Sequence, residues 1–334
     1  MNVLGDHPRP RRLEGTDWNL SLSHVRRDGG KMRTRRQVKN VQGFKAYRLA
    51  NELVRVAVVP ELGAKLISLK DLRTGREWLW HPTAGLKLFR NESGHKFENS
   101  PLVGLDECLP TIAPCSWRQR NLPDHGEIWT AASKVDLGAW ETGLIRTSVS
   151  LNISPFDFER TIELCNDQIR LTYHLKNRAA SEELYLWAMH PLIQLQSGDE
   201  LELPVSTRSL LNGATCLDSL TSGKQDGECH KVFASKVTEG WAAIRNARSG
   251  DRLRFDWNPA ENDTLGLWLN RGGWHGHHHF ALEPSNGEPD ALTVAAQNKR
   301  CGILAPNASV IWQVCIRVGS WAHSEVCGKS VPTS

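Results

Sequence analysis

The stretch Thr161-Ile162-Glu163-Leu164-Cys165-Asn166-Asp167-Gln168-Ile169-Arg170-Leu171-Thr172-Tyr173-His174-Leu175 decides the fold class. Apolar and polar residues alternate on both sides of Asn166-Asp167, and a period of two puts successive side chains on opposite faces of a strand. Asn and Asp tolerate the left-handed backbone that a tight connection needs, so the stretch predicts a β-hairpin.

Outward from this hairpin the same texture recurs. Residues 147–153 alternate, and Leu53, Val54, Val56, Val58 and Val59 form a β-branched run closed by Pro60-Glu61-Leu62-Gly63. Further strands are predicted over residues 184–189, 232–237, 253–257, 265–269, 280–282 and 310–318. No segment sustains a helical period. Many short strands separated by turn residues predict an all-β chain, one large antiparallel sandwich over residues 41–320. A length of 334 residues suits a single unit of that class.

Composition narrows the partners. Residues 1–40 carry ten Lys/Arg and four Asp/Glu, a balance of +6 against +4 for the whole chain, so the remainder carries −2. That segment has little periodicity and is expected to be irregular, as is the tail from 321 to 334. The body has no cationic excess to suggest nucleic acid. No apolar run approaches the length of a membrane span, and the charged, proline-containing N-terminus lacks a signal-peptide core, so a cytoplasmic protein is expected. The eight cysteines form no C-x-x-C pair and are expected to be free thiols.

Three polar stretches interrupt the strands. Pro123-Asp124-His125-Gly126-Glu127-Ile128-Trp129 packs three ionisable groups and an indole into a turn. Trp187-Ala188-Met189-His190-Pro191-Leu192 and Ala281-Leu282-Glu283-Pro284-Ser285 each set one titratable residue before a proline, which lacks a ladder donor and is expected to end the strand. Such groups are the parts of an acid/base site, or residues scattered by chance. Thirteen tryptophans are available for core packing, and Trp129, Trp187, Trp268 and Trp274 lie near the polar stretches, where an indole can cover the C–H face of a sugar. His275, His277, His278 and His279 fall within five residues; with no Cys or acidic partner nearby, one is expected to line a cleft and the rest to be solvated.

In this order the segments resemble the galactose-mutarotase-like superfamily, the aldose 1-epimerases and their bacterial relatives. Val58-Val59-Pro60-Glu61-Leu62-Gly63-Ala64-Lys65-Leu66-Ile67-Ser68-Leu69 is similar to its N-terminal signature; Gly104-Leu105-Asp106-Glu107-Cys108-Leu109-Pro110-Thr111 and the His125, His190 and Glu283 segments follow. The resemblance implies the superfamily's β-sandwich and a cofactor-independent isomerase. Glu283 is then the general base, His190 the general acid, and His125 binds sugar near its anomeric end. Asp106, Glu107, Glu127 and Lys65 join as substrate-binding residues by lying in the matching segments, and Trp268 as an aromatic contact. Leu192-Ile193-Gln194-Leu195 stands where aldose 1-epimerases are aromatic-rich, and the family's arginine and aspartate for distal hydroxyls have no match.

The implied chemistry is self-consistent. Exchanging anomers opens a hemiacetal: a base takes the anomeric hydroxyl proton and an acid protonates the ring oxygen, a carboxylate and an imidazolium on opposite sides of the ring. No metal or nucleotide is needed, and no Walker A or G-x-G-x-x-G pattern is present. The expected partner is a monosaccharide or sugar phosphate, with no nucleic acid or membrane and a monomeric or dimeric state. A carbohydrate-binding protein without turnover is the alternative.

Overall fold

Two large sheets stack face to face in the computed structural model, which describes residues 32–211 and 226–320. The first has nine strands in the order Arg35–Val41, Phe44–Ala50, Val54–Val59, Lys65–Asp71, Leu105–Cys108, Ala188–Ile193, His278–Ser285, Thr264–Arg271 and Cys229–Ser235. The second has eight: Asp199–Glu202, Trp241–Asn246, Arg252–Trp257, Ser309–Gly319, Gln168–Asn177, Phe156–Cys165, Ile145–Ser150 and Lys134–Val135. Every strand pair in the two sheets is antiparallel. The fold is an all-β antiparallel sandwich.

The deciding hairpin forms as its alternation requires. Phe156–Cys165 pairs with Gln168–Asn177, Cys165 stands opposite Gln168, and Asn166 takes the left-handed conformation at φ 58°. The first strand, Arg35–Val41, lies, but for Val41, inside the segment expected to be irregular. It is a charged sheet edge whose side chains are mostly exposed, so no apolar alternation marks it. Residues 1–31 and the tail from 321 lie outside the described residues.

The inner faces close a core in which Val56, Leu66, Leu105, Met189, Leu267 and Leu282 meet Phe158, Leu171, Tyr173, Phe255, Trp312 and Val314. Trp187 belongs here, against Tyr173 and Trp312, rather than to an open cleft. One carboxylate is sealed in with them. Glu107 accepts hydrogen bonds from Arg160 (2.8 Å), Tyr173 (3.0 Å) and the Trp187 indole (2.9 Å). Burial pushes its pKa up, while Arg160 and the other two donors oppose that rise.

Among the described residues the six cysteines are all free, and no helix is long and apolar enough to cross a membrane.

The buried pair makes a direct prediction. Arg160→Met leaves the Glu107 charge uncompensated between the sheets and is expected to cost about 3–5 kcal/mol. Urea unfolding measures it; Arg160→Met combined with Glu107→Leu should recover most of the loss. A loss below about 1 kcal/mol, the range of an exposed pair, would contradict the burial described.

Candidate active site

Alternation along the nine-stranded sheet sorts its polar residues. Asp106 and Glu107 are neighbours in one strand, so they point to opposite faces. Glu107 enters the core and is not brought to the site; Asp106 lies on the outer face, opposite His190 in the ladder. Glu283 stands opposite Gly266, and Lys231 opposite Trp268, on the same outer face. Pro191 and Pro284 lie inside the strands Ala188–Ile193 and His278–Ser285, where the sequence placed strand ends. The two strands pair at Ala188 with Ser285 and again at Leu192 with Ala281, and not between. Prolines cannot donate there, so the sheet carries a local gap where His190 and Glu283 stand.

These two side chains meet. His190 Nε2 is 3.5 Å from Glu283 Oε1, and both residues are buried, 3% and 0% exposed. The other Glu283 oxygen binds Lys231 Nζ at 2.5 Å, and Lys231 also reaches Asp290 Oδ1 at 3.2 Å. Gly266 makes this possible: a Cβ there would lie 3.1 Å from Glu283 Oε2. Alongside, Lys65 pairs with Asp106 and donates to the Val103 carbonyl (3.2 Å). His190 Nδ1, Glu283 Oε1 and Asp106 Oδ1 are buried without a hydrogen-bond partner among the described residues. Buried polar atoms in this state are costly, and a ligand that hydrogen-bonds them would recover that cost.

His125 arrives from the turn after Pro123. It adopts φ 58°, and Gly126 follows at φ 73°, where a Cβ would lie 2.0 Å from the Leu109 carbonyl oxygen. Only glycine fits that approach. His125 Nδ1 is 2.8 Å from Asp124 Oδ1, and the Asp124 carbonyl accepts from the Trp129 indole at 2.8 Å. Its ring packs edge-to-face on His190 with centroids 5.1 Å apart. Glu127 does not join them. Its carboxylate accepts the backbone N–H groups of Asn152, Ile153 and Ser154 at 2.7–2.9 Å, which anchors the turn.

Aromatic rings cover the group. Phe97 stacks on His125 at 3.9 Å and meets His190 edge-on at 5.1 Å. Trp80, Trp129, Trp268 and Leu192 pack in the same cluster, with Trp274 against it. Trp268 lies 5.8 Å from His190, centroid to centroid. Of the four late histidines, His279 is buried between Trp80 and Trp268, His277 rests on Trp80, and His275 Nε2 lies 2.5 Å from the Glu98 carbonyl oxygen.

Burial dominates the electrostatics. It lowers the His190 pKa well below the ordinary imidazole range, helped by His125, Lys231 and His279, so the ring is neutral at neutral pH rather than the imidazolium that the sequence suggested. It pushes His279 down to about 3. Burial raises the Glu283 pKa and Lys231 opposes the rise; it raises Asp106, which Lys65 opposes. Burial would lower Lys231, but Glu283 and Asp290 more than reverse this and raise it.

The structure thus brings His125, His190, Glu283, Asp106, Lys65 and Trp268 to one face and leaves Glu107 and Glu127 elsewhere. Lys231, Asp290 and Phe97 were not foreseen. Lys231 falls just before the predicted strand 232–237, next to His230, and carried no signal in the sequence.

No protein-family model matches the sequence, and no curated protein matches it. Solved structures do. A candidate aldose 1-epimerase of Klebsiella pneumoniae subsp. pneumoniae aligns at 15% identity with a TM-score of 0.67, over 85% of this chain and 83% of its own. A galactose mutarotase-like protein of Clostridium acetobutylicum aligns at 15% identity and 0.64, over 87% of this chain and 99% of its own. A galactose mutarotase related enzyme of Lactobacillus acidophilus gives 13% and 0.61, over 82% and 97%. Likeness at such identities speaks for architecture, and the architecture of this chain is the galactose mutarotase-like sandwich.

Proposed function

We propose that this protein is a cofactor-independent aldose 1-epimerase-like isomerase that exchanges the anomers of a monosaccharide or sugar phosphate. One observation carries the reading: an unpartnered carboxylate oxygen of Glu283 faces His190 Nε2 at 3.5 Å in a buried, aromatic-lined site.

The spacing bears on mechanism. No pyranose fits between groups 3.5 Å apart, so they do not flank the ring from opposite sides. They need not. The anomeric hydroxyl and the ring oxygen are bonded to the same carbon, so adjacent groups can address both from one edge of the sugar. Glu283 takes the hydroxyl proton as the carbonyl forms. The neutral His190 gives its Nε2 proton to the ring oxygen as the C–O bond breaks, and the proton that Glu283 has taken passes to His190 Nε2, 3.5 Å away, so that no imidazolate is left. Rotation of the freed aldehyde and closure in the reverse sense give the other anomer. His125 and Asp106 hold hydroxyls near this edge, and Trp268 packs against a C–H face. Each positioned proton transfer contributes on the order of a hundred- to ten-thousandfold.

A second reading has its own observation. Phe97 already occupies the face of His125, as expected if the scaffold binds carbohydrate elsewhere or without turnover.

Polarimetric relaxation of pure anomers, corrected for spontaneous mutarotation, separates the two. On the epimerase reading Glu283→Gln and His190→Asn each lower kcat by about a hundredfold or more while sugar still binds. His125→Ala instead raises KM, because it removes an interaction common to ground and transition states. Wild-type protein that accelerates no common aldose or its phosphate would leave the binding reading.

The pH profile is the further check. Glu283 must be ionised, and its pKa is raised, so kcat should climb as pH rises through a value above the ordinary carboxylate range. A neutral His190 adds no falling limb near pH 6.5. A bell with a descending limb there would mean that an imidazolium is the acid.

A further inference from the structure

We propose that Lys231 is a positioning residue of this site, an ammonium that keeps Glu283 ionised as a base and His190 neutral beside it. What this says of catalysis rests on the anomer-exchange reading; the ionisation state it assigns is measurable with no sugar present.

A carboxylate with no exposure is costly to keep charged unless a cation meets it. The groups facing Glu283 are His190 and Lys231 from strands on either side of its own, Asp290, and beyond them His125 and the Cys108 thiol. Lys231 is the cation in direct contact, at 2.5 Å. Its ammonium is held from a second side by Asp290, whose carbonyl oxygen accepts the Ile112 and Ala113 N–H groups at 2.9 Å. The Ile112 carbonyl in turn accepts the N–H of His125 at 2.6 Å. The lysine is thus tied through Asp290 to the loop that carries His125.

The placement is built in by neighbouring residues. Gly266 leaves room above the Glu283 carboxylate, and Phe233 lies under the ammonium at 5.3 Å from its ring centroid. An ammonium here acts in two ways. It stabilises the Glu283 anion, and it repels a second positive charge on His190, 3.5 Å from the same carboxylate. Losing it raises the proton affinity of both groups, and more that of Glu283, whose oxygen touches the ammonium at 2.5 Å, so the proton taken up goes to Glu283. The sign is definite: a carboxylate without its cation has a higher pKa.

Infrared difference spectroscopy at pH 7 reads this directly. Lys231→Met minus wild type should gain one protonated-carboxyl C=O band, absent when Glu283→Gln is added, and Lys231→Arg should resemble wild type. If Lys231→Met does not fold, Lys231→Gln removes the same charge while keeping a donor. In kinetics the ascending limb of the pH profile should move to higher pH, with kcat at pH 7 falling about tenfold for each unit the pKa lies above pH 7 and KM changing little. A carboxyl spectrum unchanged in the neutral variant would overturn the proposal. So would a band that survives Glu283→Gln. If the band appears but wild-type protein relaxes no sugar, Lys231 keeps its assigned effect on Glu283 and the anomer-exchange reading falls alone.

Discussion

Everything on the outer face depends on a charge sealed behind it. Glu107 sits between the sheets with Arg160 and Tyr173 from the opposite sheet and Trp187 from its own side of the core. A buried ion pair is tolerated only when its geometry is good and its remaining lone pairs are filled. Those donors come from separate segments, so they fix which face of the strand Leu105–Cys108 turns inward. Period-two geometry then leaves Asp106 no choice but the outer face, opposite His190. A slip of one residue would bury Asp106 against Arg160 and expose Glu107, and it would take Leu105 out of the core.

This explains what could be read from the sequence and what could not. The hairpin around Asn166-Asp167 was legible because half of its residues are apolar and its turn residues permit a left-handed backbone. The strand Arg35–Val41 was not, since an exposed edge needs no apolar face. His125, His190 and Glu283 were found through the order of their segments. Asp106 and Glu107 both lie in a segment that resembles the superfamily, although alternation allows only one of them on a given face. Glu127 lies in a matching segment too, yet its carboxylate is occupied by three backbone donors from residues 152–154, which the sequence does not reveal. Lys231 lay hidden because pairing across distant strands decides its partner, and Glu283 is 52 residues away.

Proline placement had a different lesson. A missing donor does end many strands, but two prolines on adjacent strands can instead share one gap in the ladder. Pro191 and Pro284 do this, and the sheet resumes on either side. The gap frees local backbone polar groups and lets His190 and Glu283 approach without ladder bonds between them. A feature read as a boundary thus shapes the site within the strand.

Enclosure sets both the strength of the site and its difficulty. With Phe97, Trp80, Trp129 and Trp268 around it, water is excluded, and charge interactions there exceed those at the surface. That enclosure depresses His190 and raises Glu283, moving each toward its uncharged form. A sugar reaching these groups must displace something, and strands held by ladders on both edges are costly to move. Residues 81–103 differ: apart from the short turn Phe97–Asn99 they have no regular structure. Phe97 is held there by its N–H bond to Asp124, at 2.9 Å, and by stacking on His125. Both contacts are made to the same loop that would receive the sugar. A ligand that hydrogen-bonds His125 and lays a C–H face where the Phe97 ring now lies would replace one apolar contact with another. Such a ligand would also have to make up for the edge contacts of Phe97 with Trp129 and His190, 5.2 and 5.1 Å between centroids, so the displacement of this one ring sets the cost of opening the site.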